Sequence, residues 1–173
     1  MFDDGAAATG SRRRSRWKPV AAAFGAAFGV AVLGGLTTEI GPWYRSLVEP
    51  PWKPPDALFG PAWTLIFASA AMAGLTAWRH ATSRSTREWI IGLFALNAFL
   101  NVGWSLLFFR LHRPDWALYE VVLLWLSIVL LIVVLRRISV ASAWWLAPYL
   151  AWVTFAAVLN RAVVELNAPF GGG

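Results

Sequence analysis

The chain contains no cysteine, which excludes a disulfide framework, a thiolate nucleophile and any cysteine metal site. Histidine is nearly absent too. His80 and His112 fall in polar connections at opposite ends of apolar runs, too far apart to share a metal, so no metal site is expected. No nucleophile–base pair and no paired carboxylates stand out, so a conventional catalytic centre is not expected either. Charge is scarce: 14% of the residues are Asp, Glu, Lys or Arg, against about 25% in a typical soluble chain.

What is present in excess is apolar. Hydrophobic residues make up 58% of the 173, and the mean hydropathy is +0.57. A soluble domain of this length cannot hide that much apolar surface, whereas lipid accommodates it. The net charge of +6 does not point to nucleic acid, because the cations gather at the ends of apolar runs, as membrane-anchoring charges do.

At about 20 residues per crossing, the pattern predicts five spans, over 19–38, 57–78, 89–109, 116–135 and 142–164. The expected fold is an all-α integral membrane protein, a five-helix bundle forming one domain over 19–167. A basic extension, 1–18, precedes it and a short tail, 168–173, follows. Tryptophans mark many span ends (Trp17, Trp43, Trp78, Trp89, Trp116, Trp144, Trp145), as expected of rings that settle at headgroup depth. The run after Ser-Arg-Arg-Arg-Ser-Arg-Trp resembles a secretory signal, but it is too long and lacks a clean cleavage site, so a retained helix is expected. Gly25-x-x-x-Gly29 in that helix offers a close-packing groove, either within the bundle or to a second copy. Ten of the fifteen cations, among them Arg12, Arg13, Arg14, Arg16, Arg136 and Arg137, fall on the side of the N-terminus. In a bacterial-type inner membrane that side is the cytoplasm.

Polar residues at helical spacing mark the inward faces. Asn97, Asn101, Trp104, Ser105 and Phe108 share one sector of the third span. Trp145, Tyr149, Trp152, Ala156 and Asn160 do so in the fifth, where Pro148 is placed in an early, tolerated turn. Phe59, Trp63 and Phe67 form a third stripe. Such faces bond either a ligand or neighbouring helices, and three of them converging fit an apolar pocket with a few orienting groups. Glu120 is the one carboxylate well inside a span, either paired near the interface or an orienting group. Arg161 and Glu165 are spaced as an ion pair.

The long connection Trp43–Trp63, WYRSLVEPPWKPPDALFGPAW, holds five prolines that stiffen it and bar a helix until about residue 56. With Tyr44 and Trp52 it makes a lid over the bundle's open end, and Arg45 and Lys53, partly offset by Glu49 and Asp56, are placed to meet carboxylates of an amphipathic ligand.

Trp43-Tyr44, Leu47, Pro50, Trp52, Pro54-Pro55, Phe59 and Ala62-Trp63 resemble the signature of the tryptophan-rich sensory protein / translocator protein family, of the peripheral benzodiazepine receptor type. The resemblance continues through Asn101, Trp104-Ser105, Phe108-Phe109, Ala117-Leu118 and Glu120. It closes with Pro148-Tyr149-Leu150, Trp152, Ala156, Leu159-Asn160 and Leu166-Asn167, and covers about 34–167. It implies a five-helix membrane bundle, usually a homodimer, with a pocket capped by the first loop. It also implies binding of porphyrins such as protoporphyrin IX and haem as ligands rather than obligatory cofactors, of synthetic isoquinolines and benzodiazepines, and in animal members of cholesterol. By matching position the pocket takes in Tyr44, Phe59, Trp63, Phe67, Asn101, Trp104, Trp152 and Ala156. A sensory receptor for tetrapyrroles follows. The alternatives are light-dependent porphyrin breakdown through Trp63 and Trp152, or a tetrapyrrole or lipid transporter, against which no internal repeat is seen. Phe67 and Asn97 depart from the family's frequent Tyr and Gln, and the cholesterol pattern is absent from the end of the fifth helix.

Overall fold

The computed structural model describes residues 17–38 and 40–170. Their regular structure is entirely helical: α1 (Trp17–Thr37), the short α2 (Pro42–Ser46), α3 (Phe59–His80), α4 (Arg84–Ser105), α5 (Pro114–Arg136), the short α6 (Val140–Trp144) and α7 (Ala147–Asn167). A 3-10 turn (Asp56–Leu58) leads into α3 and a π turn (Leu106–Arg110) closes α4. Four segments are long and apolar enough to cross a bilayer: Asp56–His80, Arg84–Arg110, Pro114–Arg136 and Val140–Asn167. The 21 residues of α1, at 1.5 Å each, reach about 30 Å and supply a fifth rod.

Local chemistry sets where the rods begin and end. Ser83 caps α4, its Oγ accepting the Thr86 N–H at 3.0 Å, so that helix starts at Arg84, ahead of its apolar run. Pro114 opens α5 at a position where a missing N–H costs nothing. The fifth predicted span is not continuous. The ring of Pro148 collides with a helical carbonyl four residues back. That residue is Trp144, where α6 ends; α7 then restarts at Ala147 with Pro148 in its first turn. Trp145 therefore lies on the break and not on the face of α7 that carries Tyr149 and Trp152.

Helix α5 is the hub. Ala117, Val121, Leu124, Ile128, Leu131 and Leu135 recur at three- and four-residue steps and are all buried, against α4, α6 and α7. The bundle's outside is equally apolar: Leu65, Phe99 and Tyr119 are more than two-thirds exposed, as lipid-facing side chains are. On the inside, polar side chains stitch helices together. Asn97 Nδ2 donates to Ser127 Oγ (2.8 Å), the Tyr149 hydroxyl donates to Asn97 Oδ1 (3.1 Å), and Asn101 Nδ2 donates to the Tyr149 oxygen (3.2 Å). One string thus joins α4, α5 and α7. Asn160, in the orientation that satisfies both ends of its amide, donates to the Pro114 carbonyl at 3.0 Å and accepts from Leu118 N–H at 3.1 Å. Arg161 and Glu165 form the expected ion pair at 2.8 Å on the exposed side of α7.

Candidate functional site

Under the α1–α3 connection lies a cavity of about 430 Å³, walled by α1, α3, α4 and α7, within the usual range for small-molecule sites. Aromatic rings make the walls. Trp63 stands edge-on to Trp152, ring centres 6.3 Å apart, and stacks on Phe67 at 5.3 Å. Phe59 meets Trp152 edge-on at 5.7 Å, while Trp104 packs on Phe108 at 5.3 Å. Ala156 leaves space between them, and Asn101 and Ser105 supply neutral polar groups. The Trp152 Nε1–H is buried and has no hydrogen-bond partner among the described residues. An orphaned buried donor of this kind carries a desolvation cost.

The proline-rich connection closes one end. Its aromatic side chains each dock on a different partner. Trp43 stacks on His112 at 4.1 Å, Tyr44 leans on Phe109 at 5.6 Å, and Trp52 meets Phe155 edge-on at 6.1 Å. His112 presents its ring from a left-handed backbone (φ 53°), where the chain reverses after the π turn. That answers the density of rings and prolines: a stiff strap with a docking point at every few residues covers the bundle's mouth.

Electrostatics at the mouth differ from the sequence expectation. Lys53 pairs with Glu49 and with Asp56, and its ammonium sits 5.0 Å over the Tyr44 ring. The Tyr44 hydroxyl in turn donates to Asp56 Oδ1 at 3.1 Å. Burial pulls the Lys53 ammonium down, but hydrogen bonds with Asp56, Glu49 and Tyr44 together outweigh it and hold its pKa above the ordinary lysine value. Burial pushes the Tyr44 phenol up in spite of the nearby lysine. Lys53 is thus already neutralised by two carboxylates and is not a free cation awaiting a ligand carboxylate.

Tyr44, Phe59, Trp63, Phe67 and Trp104 line the lidded cavity, as do Asn101, Ser105, Trp152 and Ala156. The other sequence candidates stand elsewhere. Trp52 packs on the outside against Phe155, and Trp145 is on the α6–α7 break with its carbonyl accepting from Ser69 Oγ. Asn97 and Tyr149 are spent on each other and border a second, alanine-walled cleft between α1, α3 and α4. That cleft offers almost no polar group to orient a ligand, so the lidded cavity is the stronger site. Among the described residues Glu120 has no ion-pair partner, and it lies outside the cavity lining. Its two oxygens are buried without a hydrogen-bond partner among the described residues, near the α4 backbone at Gly103.

Phe109 lines the cavity together with its neighbour Phe108, which a regular helical face does not allow. The π turn, with Leu111 N–H bonded to the Leu106 carbonyl at 2.9 Å, widens the spiral so that both rings turn inward. Gly34 and Gly35 of α1 also border the cavity, and no polar or aromatic pattern marks them in the sequence.

The model of the TspO/MBR family matches residues 15–166, all five long helices. The chain belongs to the TspO/MBR family. Tryptophan-rich protein TspO of Chlorobaculum tepidum is 41% identical over 132 residues, which is 72% of this chain and 79% of that protein. The translocator protein of Ovis aries is 33% identical over 72% of this chain and 75% of its own length. Protein CrtK of Rhodobacter capsulatus is 31% identical over 83% and 92%. As a member of the TspO/MBR family this chain is a multi-pass integral membrane protein, and the outward-facing apolar surface and inward polar string follow from that solvent.

Proposed function

We propose that the protein is a membrane receptor for porphyrin-like tetrapyrroles such as protoporphyrin IX or haem, held in the lidded cavity. The observation that carries the reading is the cavity's composition: flat indole and phenyl walls, a small residue at Ala156 between them, and the neutral polar groups of Asn101 and Ser105. A planar aromatic macrocycle offers faces to the rings and polar edges to Asn101 and Ser105. Because Glu49 and Asp56 already surround Lys53, the macrocycle's carboxylates lie away from that cluster, and stacking rather than ion pairing supplies most of the affinity. Titrating protoporphyrin IX into the detergent-solubilised protein while following its absorption band tests this. Trp63→Ala and Trp152→Ala are expected to weaken binding, and unchanged affinity in both refutes the site.

One geometric feature favours a second reading, light-dependent porphyrin breakdown. The adjoining Trp63 and Trp152 rings form a short relay. The excited porphyrin takes one electron from an indole and passes it to dioxygen, giving superoxide. The indole radical cation then takes its electron back from the macrocycle, which is left one electron oxidised and open to addition of the superoxide, whose oxygen ends in the cleaved product. Illumination of the aerobic complex then yields a bilin-like absorption in wild type and not in Trp152→Phe. Absence of that product in wild type removes the reading.

Two further features belong to this proposal. The lid faces away from the cytoplasm if the cation-rich side faces in. The protein pairs as a homodimer through α1: a methyl group added at Gly25 or Gly29 meets nothing within 4 Å, so the small-residue groove is open to another helix.

A further inference from the structure

We propose that Asn167 is the latch of the lid, a positioning residue that sets how fast ligand enters and leaves without setting how tightly it binds. The inference rests on the lidded cavity being the ligand site.

Asn167 is the last residue of α7, far in sequence from the strap. Its side chain nevertheless grips the strap's backbone at both polar groups of one residue. The Val48 N–H donates to Asn167 Oδ1 at 2.7 Å, and Asn167 Nδ2 donates to the Val48 carbonyl at 2.9 Å. A third bond, from Nδ2 to the Val163 carbonyl at 2.9 Å, fixes the amide plane. The carboxamide thus pairs with Val48 as a neighbouring strand would. It reads no side chain, and that of Val48 points outward, 56% exposed.

The strap has few other places for such a grip. Pro50, Pro51, Pro54 and Pro55 have no N–H to give, and the Lys53 N–H is spent inside the strap on the Pro50 carbonyl at 3.0 Å. The rings of Trp43, Tyr44 and Trp52 dock through contacts that can slide, and the bonds of Tyr44 and Lys53 to Asp56 close within the connection itself. Val163, the anchor of the amide, itself borders the cavity, so the latch ties the strap to the cavity wall while Asn167 stays outside that wall.

That placement decides the kinetic signature. A group that does not touch the ligand makes the same bonds whether the cavity is filled or not, so it shifts open and closed lids alike in both states. Removing two neutral hydrogen bonds raises the open fraction by about tenfold. Association and dissociation rates then rise together, and their ratio stays put.

The test uses the full chain in nanodiscs, with two readouts. Hydrogen–deuterium exchange of the strap amides (Val48, Glu49, Trp52, Lys53), without any ligand, is expected to quicken about tenfold in Asn167→Ala while the α5 amides are unchanged. Asn167→Asp, which keeps the acceptor and loses the donor, falls between. Stopped-flow quenching by protoporphyrin IX is expected to show both rates up about tenfold in Asn167→Ala, with Kd within about twofold of wild type. Unchanged strap exchange overturns the latch. Faster exchange with unchanged rates overturns its control of ligand passage, and a changed Kd with an unchanged association rate makes Asn167 part of the binding site. Failure of wild type to bind protoporphyrin IX is a separate result: it refutes the ligand class, while the exchange readout still decides whether Asn167 holds the strap.

Discussion

The inward polar string carries a sharp prediction at Tyr149→Phe. Tyr149 is 1% exposed, and its hydroxyl is used twice, donating to Asn97 Oδ1 and accepting from Asn101 Nδ2. Phenylalanine keeps the ring and removes both bonds. Asn97 borders only the apolar, alanine-walled cleft, which supplies no donor, and it keeps only its bond to Ser127, so its carbonyl is left unsatisfied at a cost of about 1–2 kcal/mol. Asn101 borders the cavity and regains water there, so its share is about 0.5 kcal/mol, near the mean for interhelical bonds in membranes. The sum is about 2 kcal/mol, and for a chain of this size that lowers Tm by roughly 4–8 °C. The assay is thermal unfolding in one fixed detergent. Asn97→Leu alone strands the Tyr149 hydroxyl, but Asn97→Leu with Tyr149→Phe removes both partners, so the double variant is less destabilised than the sum of the singles. A shift below about 1 °C for Tyr149→Phe, or strict additivity in the double variant, refutes the reasoning.

Two predictions concern the lid and the dimer. The raised pKa of Lys53 means its stabilising contribution is fully present below the unfolded value of about 10.4 and is lost only as pH rises through the still higher folded value. Lys53→Met therefore costs less than about 1 kcal/mol, since Glu49 and Asp56 are solvent-accessible. The Tm difference from wild type is expected to stay flat between about pH 6 and 9, and a midpoint near neutrality contradicts the lysine's assignment. Gly29→Leu fills the open groove on α1 and is expected to turn a dimer into a monomer by light scattering in detergent. An unchanged dimer moves the interface elsewhere.

Much of the cavity was legible because a single helix's period places its residues without reference to anything else. Trp63 and Phe67 on α3, Asn101 and Trp104 on α4, and Trp152 and Ala156 on α7 needed only 100° per residue and a bilayer outside. Asn97 and Tyr149 were on the right faces but not in the cavity. A polar side chain facing inward looks the same whether it meets a ligand or another helix, and here they satisfy each other. Trp145 failed for a local reason: the Pro148 ring breaks the spiral that would have carried it round. Phe109 escaped because a π turn changes the period, and nothing in Leu-Leu-Phe-Phe-Arg announces one. Lys53 was expected to be only partly offset, because the carboxylates three and four residues away were not recognised as its direct partners. The Val48–Asn167 pairing joins residues at the two ends of the fold, and no periodicity reaches that far.

The central claim is that the aromatic cavity beneath the strap takes up a tetrapyrrole. Its most direct test is tryptophan-fluorescence quenching of the purified protein on titration with protoporphyrin IX, with Trp152→Phe and Trp52→Phe run beside wild type. The predicted result is saturable quenching in wild type, weaker affinity in Trp152→Phe because the smaller ring gives up part of the stacking wall, and wild-type affinity in Trp52→Phe because that ring sits outside the cavity. Linear, non-saturating quenching in all three contradicts it.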